Sequence, residues 1–459
     1  MKKVFLTVSR GSIARNLLQN EFYYLLREKY QVVVLTPAFQ DKRFLEEFAH
    51  HNVRCIHLPH MERSFLDMLL FFFHKHLIYN STVNQKARWG IIGDSRSTPT
   101  PYPLYVIKRG VFTVLSRVFF LRDFVRYLDR MFTQRKEVGF WKNILEEERP
   151  DMVISTNIAE DIEVALLKAA RDVGIRTLGM PKSWDNASKN GFRVKADDMV
   201  VWNMLMEEEM LQFQNYTKKH IHSIGVPQFD YYLDTSRIVS REVFCSWFGF
   251  DPHKKIILFS SEGKLFAGDG EIASVIYDAI QKEYPEFPCQ LLIRPHYGFK
   301  QDEQKFKHLF GKHGVAVDLE NHPSMCFRDA WDYSKESMDR FLNMLYHCDI
   351  DINTHSSLAL DVIGFDKPII SLLFDSFEKK PYERSIARWY ETYYYRNILS
   401  FHATTEVGTP QELEEALHEY LLNPSHKKEE RRRLRDAFCF LYDGHAGKRF
   451  FEVVQKLID

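Results

Sequence analysis

The feature that most constrains the fold of this chain is a repeated alternation between short β-prone runs and helical stretches. In the first half the β-prone runs are KVFLTVS, QVVVLTP, VRCIHLP, DMVISTN, IRTLGMP and DMVVWN. A second series, after residue 250, contains KIILFSS, CQLLIRP, VAVDLE, IDIN and PIISLLF. Strands that alternate with helices predict parallel sheets. Each series is long enough for its own doubly wound sheet, so we predict an α/β protein with two Rossmann-like domains.

The boundary between the two predicted domains falls in a segment without clean periodicity, GVPQFDYYLDTSRIVSREVFCSWFGFDPHKK. We place it near residues 235 to 250, which gives an N-terminal domain over 1–240 and a second domain from residue 241. A chain of 459 residues is too long for one ordinary core, and two domains agree with that length.

Residues 62 to 145 interrupt the alternation with a run rich in Phe, Leu, Arg and Tyr. Apolar and basic residues recur there at helical spacing, which predicts helices inserted into the first domain. We interpret them as core-facing helices with solvated Arg and Lys; the alternative is that they rest on an anionic membrane surface. The most apolar stretch, residues 65–78, is shorter than the roughly 20 residues of a membrane span.

Charge and cysteine content argue against several classes of protein. Lys and Arg total 62, as do Asp and Glu, so no overall basic field favours nucleic acid. The six cysteines are scattered without a CxxC pair, which is typical of a reducing compartment and argues against a disulfide framework or a cysteine zinc site. The opening MKKVFLTVSRGS has an apolar run too brief for a secretory signal. We expect a cytoplasmic protein, with peripheral contact at the inner face of the membrane left open.

Polar residues follow three strands of the second series. They are Ser260, Ser261, Glu262, Gly263, Arg294, His296, His355, Ser356 and Ser357. Because the carboxyl ends of parallel strands meet at one sheet edge, we predict a shared anion site there. A helix that starts after Ser357 would help to hold a diphosphate, and Asp361, one turn later, would accept hydrogen bonds from ribose or sugar hydroxyls.

Within that site, Arg294 would neutralise a phosphate and His296 would donate to one or act as an acid or base. The alternatives are an ordinary serine N-cap and a surface turn stiffened by Pro295.

Two loops of the first half are candidates for the acceptor or sugar. In GMPKSWDNASKNG, a strand end is followed by Ser183, Trp184, Asp185 and Asn186. An exposed Trp beside Asp and Asn is a common sugar platform; the alternative is that Trp184 fills the domain core. The second loop, in TVSRGSIARN, offers Arg10 and Ser12 but lacks G-x-G-x-x-G, so a dinucleotide fingerprint is not supported.

These motifs resemble known families. KSWDNASKNG, ADDMVVWNMLMEEEM and IGVPQFDYY resemble bacterial surface-polysaccharide glycosyltransferases of the GT-B type. RPHY, CDIDINTHSSLALDVIGFDKPII and LYDGHAGKRF are similar to the CDP-glycerol glycerophosphotransferase family and, more distantly, to UDP-N-acetylglucosamine 2-epimerases. The resemblance covers about residues 150–450. It implies two Rossmann-like domains over a cleft, with the activated donor on a domain at 241–435 and a final helix, 436–459, that crosses back to the first domain.

The resemblance also implies roles for individual residues. His296 of RPHY would handle phosphate or take part in catalysis, and Ser356, Ser357 and Asp361 would grip diphosphate and ribose. Two departures are evident, because the family's RPHP is RPHY here and His355-Ser356-Ser357 replaces the Gly-Gly of the epimerases.

The combined prediction is a GT-B glycosyltransferase that moves a sugar from a UDP-, GDP-, CDP- or TDP-linked donor to a surface-glycan or lipid-linked acceptor. The scheme requires no metal and no cofactor, and Asp185 is the hypothetical base that activates the acceptor. Three alternatives remain: a CDP-glycerol-type glycerophosphotransferase, a nucleotide-sugar 2-epimerase and a non-catalytic nucleotide-binding subunit of a glycan assembly complex. The donor, the stereochemical outcome and the oligomeric state stay open.

Overall fold

Two parallel sheets organise the chain, as the computed structural model shows. The structure describes residues 1–60, 62–91, 97–282 and 286–459. Within these residues, seven strands form the first sheet in the order β3-β2-β1-β4-β5-β6-β7, and six form the second in the order β10-β9-β8-β11-β12-β13. Neighbouring strands pair in parallel, so the predicted α/β fold class with two Rossmann-like sheets is confirmed. The domain bounds at residues 240 and 435 stay a prediction.

The strands are short, and those inside each sheet are almost entirely buried. In the first sheet they are β1 (Lys3–Thr7), β2 (Gln31–Thr36), β3 (Val53–His57), β4 (Met152–Ser155), β5 (Arg176–Gly179), β6 (Asp198–Val201) and β7 (Ile221–Ser223). In the second they are β8 (Lys255–Ser260), β9 (Cys289–Arg294), β10 (Val315–Val317), β11 (Ile350–Asn353), β12 (Ile369–Leu372) and β13 (Thr405–Val407). Runs such as VVVL in β2 are fully buried, as expected for parallel strands covered on both faces by helices.

The helices of the first half precede or connect these strands. They are α1 (Gly11–Ile13), α2 (Glu21–Lys29), α3 (Lys42–Phe48), α4 (Phe65–His76), α5 (Ser81–Trp89), α6 (Tyr102–Ser116), α7 (Phe119–Phe132), α8 (Arg135–Glu148), α9 (Asp161–Val173), α10 (Asn186–Lys189), α11 (Met204–Gln214) and α12 (Pro227–Asp230). A π-helical turn, Ala14–Leu18, continues α1.

The helices of the second half are α13 (Arg241–Ser246), α14 (Asp269–Gln281), α15 (Lys335–His347), α16 (Leu358–Ile363), α17 (Ala387–Tyr390), α18 (Tyr393–Leu399), α19 (Pro410–Leu422), α20 (Lys428–Phe438) and α21 (Ala446–Ile458). The last of these returns to the first sheet. The Phe450 ring of α21 stacks on the Phe22 ring of α2, with centroids 4.0 Å apart.

The inserted helices differ from the core-facing arrangement that we expected. Helices α4 to α8 fill most of this region as predicted, while residues 92–96 lie outside the described residues. Large apolar side chains of α4, α6 and α7 face solvent, among them Phe65, Phe119 and Phe120, so the core-facing interpretation is wrong for these side chains. No helix of the described chain is long and apolar enough to cross a bilayer.

Candidate active site in the cleft between the two sheets

Loops after three strands of the second sheet contact one another. Gly263 follows β8 with a φ of 65°, a conformation that favours glycine. Its loop lies close to the loop after β9, because a Cβ built on Gly263 would be 3.1 Å from the Cβ of His296. The Glu262 carboxyl lies near enough to Thr354 and Ser356, after β11, for their hydroxyls to lower its pKa. Burial raises the pKa of Glu262 to about 8, and nearby Asp269 adds to that rise. The structure therefore brings the three predicted loops to one edge of the sheet.

Two buried arginines, one from each half of the chain, lie against the same aromatic rings, those of Trp331 and Phe341. Arg294 ends β9, and Arg15 lies in the π-helical turn after β1; each is more than nine-tenths buried. The Arg15 guanidinium lies 4.4 Å from the Trp331 ring centroid, and that of Arg294 lies 4.4 Å from the Phe341 centroid. The buried Nε of Arg294 has no hydrogen-bond partner in the described chain. Burial lowers the pKa of Arg15, and the charge of Arg294 lowers it further.

This pair of arginines is short of negative charge. Within the described residues neither guanidinium forms an ion pair with a carboxylate, whereas the buried Arg193 pairs with Asp67, Asp129 and Asp161. Buried charges are normally paired, because transfer of a charge out of water is costly. Two adjacent unpaired guanidiniums therefore form a site suited to a doubly charged anion such as a diphosphate.

Asp361, on α16 of the second half, lies near these arginines and forms hydrogen bonds with residues that precede the second sheet. Its Oδ1 accepts hydrogen bonds from the Tyr232 hydroxyl at 2.7 Å and from the Gln228 amide at 3.2 Å. Burial raises the pKa of Asp361 to about 6, against the opposing effects of Tyr232, Arg15 and Arg294. At neutral pH the carboxyl is mostly ionised and partly balances the arginines. One oxygen is thus committed to protein contacts, and the predicted bond to a ribose or sugar hydroxyl would fall to the other.

His296 is held as a neutral hydrogen-bond donor. Its Nδ1 accepts from the Gly298 N–H at 3.1 Å, which leaves the proton on Nε2. The ring stacks on Phe299 with centroids 4.6 Å apart. Burial and the charge of Arg294 lower its pKa to about 4. His296 is therefore suited to donate to a phosphate oxygen, while a role as base would require another tautomer.

The turn after β5 in the first sheet faces the loop after β11 in the second. Asp185 forms an ion pair with Lys189 at 3.0 Å and accepts from the Ser183 hydroxyl at 3.1 Å. Burial opposes ionisation of Asp185, but Lys189 and Lys86 outweigh it and lower its pKa to about 2. Burial lowers the pKa of His355 to about 3, and the charges of Asp185 and Lys189 act on it across the cleft.

The charges of Asp185 and Asp361 both act on Tyr394. Its hydroxyl is buried and has no hydrogen-bond partner in the described residues. Burial raises the pKa of Tyr394, and the charges of Asp185 and Asp361 raise it further. The same phenol is thus acted on by one carboxylate beside the arginine pair and by another in the turn after β5.

Several predicted donor-site residues are engaged in holding their own loops. Ser261 donates to Asp269 at 2.7 Å and accepts from the Gly263 N–H at 3.0 Å. The Ser260 hydroxyl is buried without a partner in the described chain. Ser356 accepts from the Leu358 N–H at 3.3 Å, whereas Ser357 is exposed and forms no side-chain cap on the six-residue α16. Direct contact between these serines and a ligand stays a prediction.

The loop after β1 is engaged by the second half. The Gly11 N–H and the Ser12 hydroxyl both donate to Asp329, each at 2.8 Å, and Arg10 pairs with Glu160 at 2.8 Å. Asp329 thus lies where the sequence predicted an anion. Asn186 is also occupied, because its Oδ1 accepts from the backbone N–H groups of the turn that precedes it.

Trp184 does not form the exposed sugar platform that the sequence predicted. It is 7% exposed, and its ring packs against Trp202, Phe229 and Phe438 in the core. The alternative interpretation, that it fills the core, describes its position. The aromatic ring that does line the cleft is Trp331, between Arg15 and the half-buried His296.

Sequence reasoning missed Arg15, Trp331, Lys86 and Tyr394. Arg15 was within the quoted TVSRGSIARN loop, and its position one turn after Gly11 was a usable signal. The other three lie in helices or irregular segments without a motif, so only the tertiary structure places them in the cleft.

Because Glu262 is buried, we expect the stability difference between the Glu262→Gln variant and the wild type to grow with pH. Its folded pKa of about 8 exceeds the value of 4.5 expected when unfolded, so its contribution to stability is lost as the pH rises through 8. We expect the melting temperature of Glu262→Gln, relative to wild type, to increase between about pH 6 and pH 9. Thermal unfolding followed by circular dichroism measures this, with exposed Glu320→Gln as control. A pH-independent difference would contradict the assignment.

A family model described as CDP-glycerol:poly(glycerophosphate) glycerophosphotransferase matches residues 174–456, more than half of the chain. This confirms the family resemblance predicted from the sequence. No curated protein sequence matches the chain.

Solved structures show the same architecture. A putative UDP-N-acetylglucosamine 2-epimerase from Listeria monocytogenes has a TM-score of 0.54 and 11% identity, over 99% of this chain and 96% of that chain. UDP-GlcNAc 2-epimerase from Neisseria meningitidis, bound to UDP-GlcNAc, has a TM-score of 0.54 and 13% identity, over 99% and 100%. A glycosyltransferase from Rickettsia africae has a TM-score of 0.52 and 10% identity, over 100% and 99%. At such identities the similarity shows the fold alone, and that fold is of the GT-B type.

Proposed function

Because the chain belongs to the CDP-glycerol:poly(glycerophosphate) glycerophosphotransferase family, we propose that it is a transferase acting on a nucleotide-diphosphate donor. In our first candidate function it moves a sugar from a UDP-, GDP-, CDP- or TDP-linked donor to a surface-glycan or lipid-linked acceptor. The second candidate, transfer of a glycerol phosphate group from CDP-glycerol, is favoured by the family match itself. We further propose that it works in the cytoplasm, at the inner face of the membrane.

The observation that carries this proposal is the unpaired, buried arginine pair in the cleft. Arg15 and Arg294 would neutralise the donor's diphosphate, with the Nε2–H of His296 as a further donor. Negative charge grows on the leaving group during transfer, and fixed donors in a water-poor cleft stabilise it without reorganisation. Trp331, beside Arg15, offers a face for the base or the sugar.

Acceptor activation would come from the opposite wall. Asp185 is ionised at neutral pH, because the charges of Lys189 and Lys86 lower its pKa. We propose that its carboxylate takes the proton from the acceptor hydroxyl as the new bond forms. Closure of the two halves would exclude water and so protect the donor from hydrolysis.

The nucleotide product distinguishes the candidates. Sugar transfer breaks the bond between the sugar and the diphosphate and releases a nucleoside diphosphate, whereas glycerol phosphate transfer from CDP-glycerol breaks the diphosphate and releases CMP. An epimerase would change the sugar without an acceptor and release neither. Incubation with each donor and a glycan acceptor, followed by anion-exchange chromatography of the nucleotides, reads this directly. Binding without turnover of any donor would indicate the non-catalytic alternative.

A thermal-shift screen with the same donors tests binding independently of the acceptor. A ligand at 100 times its Kd stabilises the folded state by about 2.7 kcal/mol, which gives a clear rise in melting temperature. We expect one nucleotide class to produce this rise and Arg294→Ala to abolish it. A wild-type protein that responds to no donor would contradict the proposal.

Metal removal should leave the reaction unchanged. The described residues contain no group of three His, Cys, Asp or Glu side chains placed to hold a metal ion, while the arginine pair supplies positive charge itself. We expect the transfer rate in excess EDTA to equal the rate with added Mg²⁺. A rate that falls on chelation and returns with Mg²⁺ would overturn metal independence.

A further inference from the structure

A second cavity lies at the edge of the first sheet that is opposite to the candidate active site. Its walls are α7, the end of α9 and the segments that directly precede β6 and β7. Its volume is about 410 Å³, within the range of about 300–1,000 Å³ that is typical of small-molecule sites. The candidate active site lies at the carboxyl ends of the strands and this cavity at the amino ends, so the two are separate. We call it the basic cavity.

Positive charge dominates the lining of the basic cavity. Six of its lining residues are Lys or Arg and two are Asp, although the whole chain is neutral. The cations come from α7, from α9 and from the segment before β6: Arg126, Arg130, Lys168, Arg171, Arg193 and Lys195. A concave surface lined by one sign of charge concentrates ions of the opposite sign, so the lining favours an anionic ligand.

Four of these cations are already balanced by carboxylates. The ion pairs are Arg126–Asp123, Arg130–Asp172, Lys168–Asp129 and Arg193–Asp129. The side chains of Arg126, Lys168 and Arg193 are each more than nine-tenths buried. These paired groups therefore form the inner wall of the cavity and fix its shape.

The other two cations, Arg171 and Lys195, have no carboxylate partner within the described residues. The Lys195 ammonium donates to the Asn215 carbonyl at 2.7 Å, and Arg171 is exposed at the end of α9. The second acidic residue of the lining is Asp197, which accepts from the N–H and the hydroxyl of Thr177, each at 2.8 Å. Its carboxylate is thus engaged by β5 and forms no ion pair with either cation.

The charges around Lys195 show what the cavity lacks. Burial lowers the pKa of Lys195; the charge of Asp123 opposes this effect, while those of Arg126 and Arg171 add to it. The Lys195 ammonium also lies 4.9 Å from the ring centroid of Tyr216. Three like charges that act on one another in a partly buried site repel, and a bound anion would relieve that repulsion.

The size of the basic cavity indicates more than a bare ion. A water molecule occupies about 30 Å³ of liquid, so an inorganic ion would leave most of the cavity to solvent. Tyr127, which is 57% exposed on α7, offers the face of its ring in the lining. A ligand with a phosphate at the cations and a sugar ring beside Tyr127 would use both features.

We propose that the basic cavity binds a small phosphate ester of the sugar phosphate class, with its phosphate held by Arg171 and Lys195. A guanidinium and an ammonium together supply charge-assisted hydrogen bonds to several phosphate oxygens. The site goes beyond the proposed function, because no residue of the candidate active site takes part in it.

The test is isothermal titration calorimetry of the full chain with glucose 6-phosphate as probe. We expect saturable binding of one molecule per chain and no binding of glucose, which lacks the phosphate. The double variant Arg171→Gln/Lys195→Gln should bind the probe at least about tenfold more weakly, because two charge-assisted contacts are lost. Arg433→Gln, at an exposed arginine of α20, is the matched control and should bind as wild type.

A second variant protects the test against misfolding. Arg171→Glu changes one exposed residue, so it should keep the wild-type melting temperature while it weakens binding in the same way. Arg15→Ala should leave the affinity for the probe unchanged, since Arg15 belongs to the cleft.

Three results would overturn the proposal: no saturable heat from the wild type at millimolar probe, equal binding by the wild type and a folded Arg171 variant, or loss of binding in Arg15→Ala, which would place the probe in the cleft. Because calorimetry without donor or acceptor measures no transfer, failure of the proposed function leaves this result unaffected.

Discussion

Replacement of Arg294 by alanine is expected to lower kcat/KM for the nucleotide donor by about 100-fold. The guanidinium is buried, its Nε has no partner in the described chain, and no carboxylate there forms an ion pair with it. We therefore expect its unused hydrogen-bonding capacity to serve a ligand, and charge-assisted bonds are worth about 1.5–3 kcal/mol each. Arg294→Lys should recover only part of the loss, since an ammonium cannot bind two phosphate oxygens with a planar fork.

Arg15→Ala should lower kcat/KM for the nucleotide donor by a similar factor. If Arg15 and Arg294 hold one diphosphate, the fold-loss in kcat/KM of the double variant should be smaller than the product of the two single-variant losses. The reason is that the free-energy effects of residues that share a partner are not additive. Steady-state kinetics and donor-induced thermal shifts measure this, with exposed Arg433→Ala of α20 as control.

The unliganded stability of these variants separates binding from structural roles. Removal of an unpaired buried charge relieves a desolvation cost, so Arg294→Met should melt at or above the wild-type temperature. A large drop in melting temperature together with normal donor affinity would show that Arg294 serves the fold rather than the ligand.

The fold was predictable because its core strands are continuous apolar runs. Each quoted run contains a strand, from KVFLTVS (β1) to PIISLLF (β12). The prediction missed β7 and β13, the three-residue strands at one edge of each sheet. An edge strand pairs on one side only and needs little apolar sequence, so its pattern is weak.

The candidate site was predictable only where strand ends create it. Arg294 and His296 follow a strand directly, and parallel topology alone brings them to the cleft edge. Trp331 comes from an irregular segment between β10 and α15, which no periodicity describes. Trp184 was misplaced because its neighbours are polar, yet the Asn186 side chain braces the turn so that the indole points inward.

Asp185→Asn should lower kcat by about 100-fold or more while donor binding stays near wild type. The carboxylate lies in the turn after β5, and its charge acts on His355 and Tyr394. An amide preserves its shape but cannot accept a proton. Single-turnover kinetics separate chemistry from binding, and Asp172→Asn, at a surface ion pair of α9, is the control.

Lys189→Gln gives a second, independent test of Asp185 as the base that activates the acceptor. Lys189 is the largest of the charges that lower the pKa of Asp185 to about 2. Its loss should raise that pKa, and because the base must be ionised, the acid limb of kcat should move to higher pH. Wild-type protein should show no acid limb from Asp185 above about pH 4. If Asp185→Asn turned over normally, or if Lys189→Gln left the pH profile unchanged, another group would have to activate the acceptor.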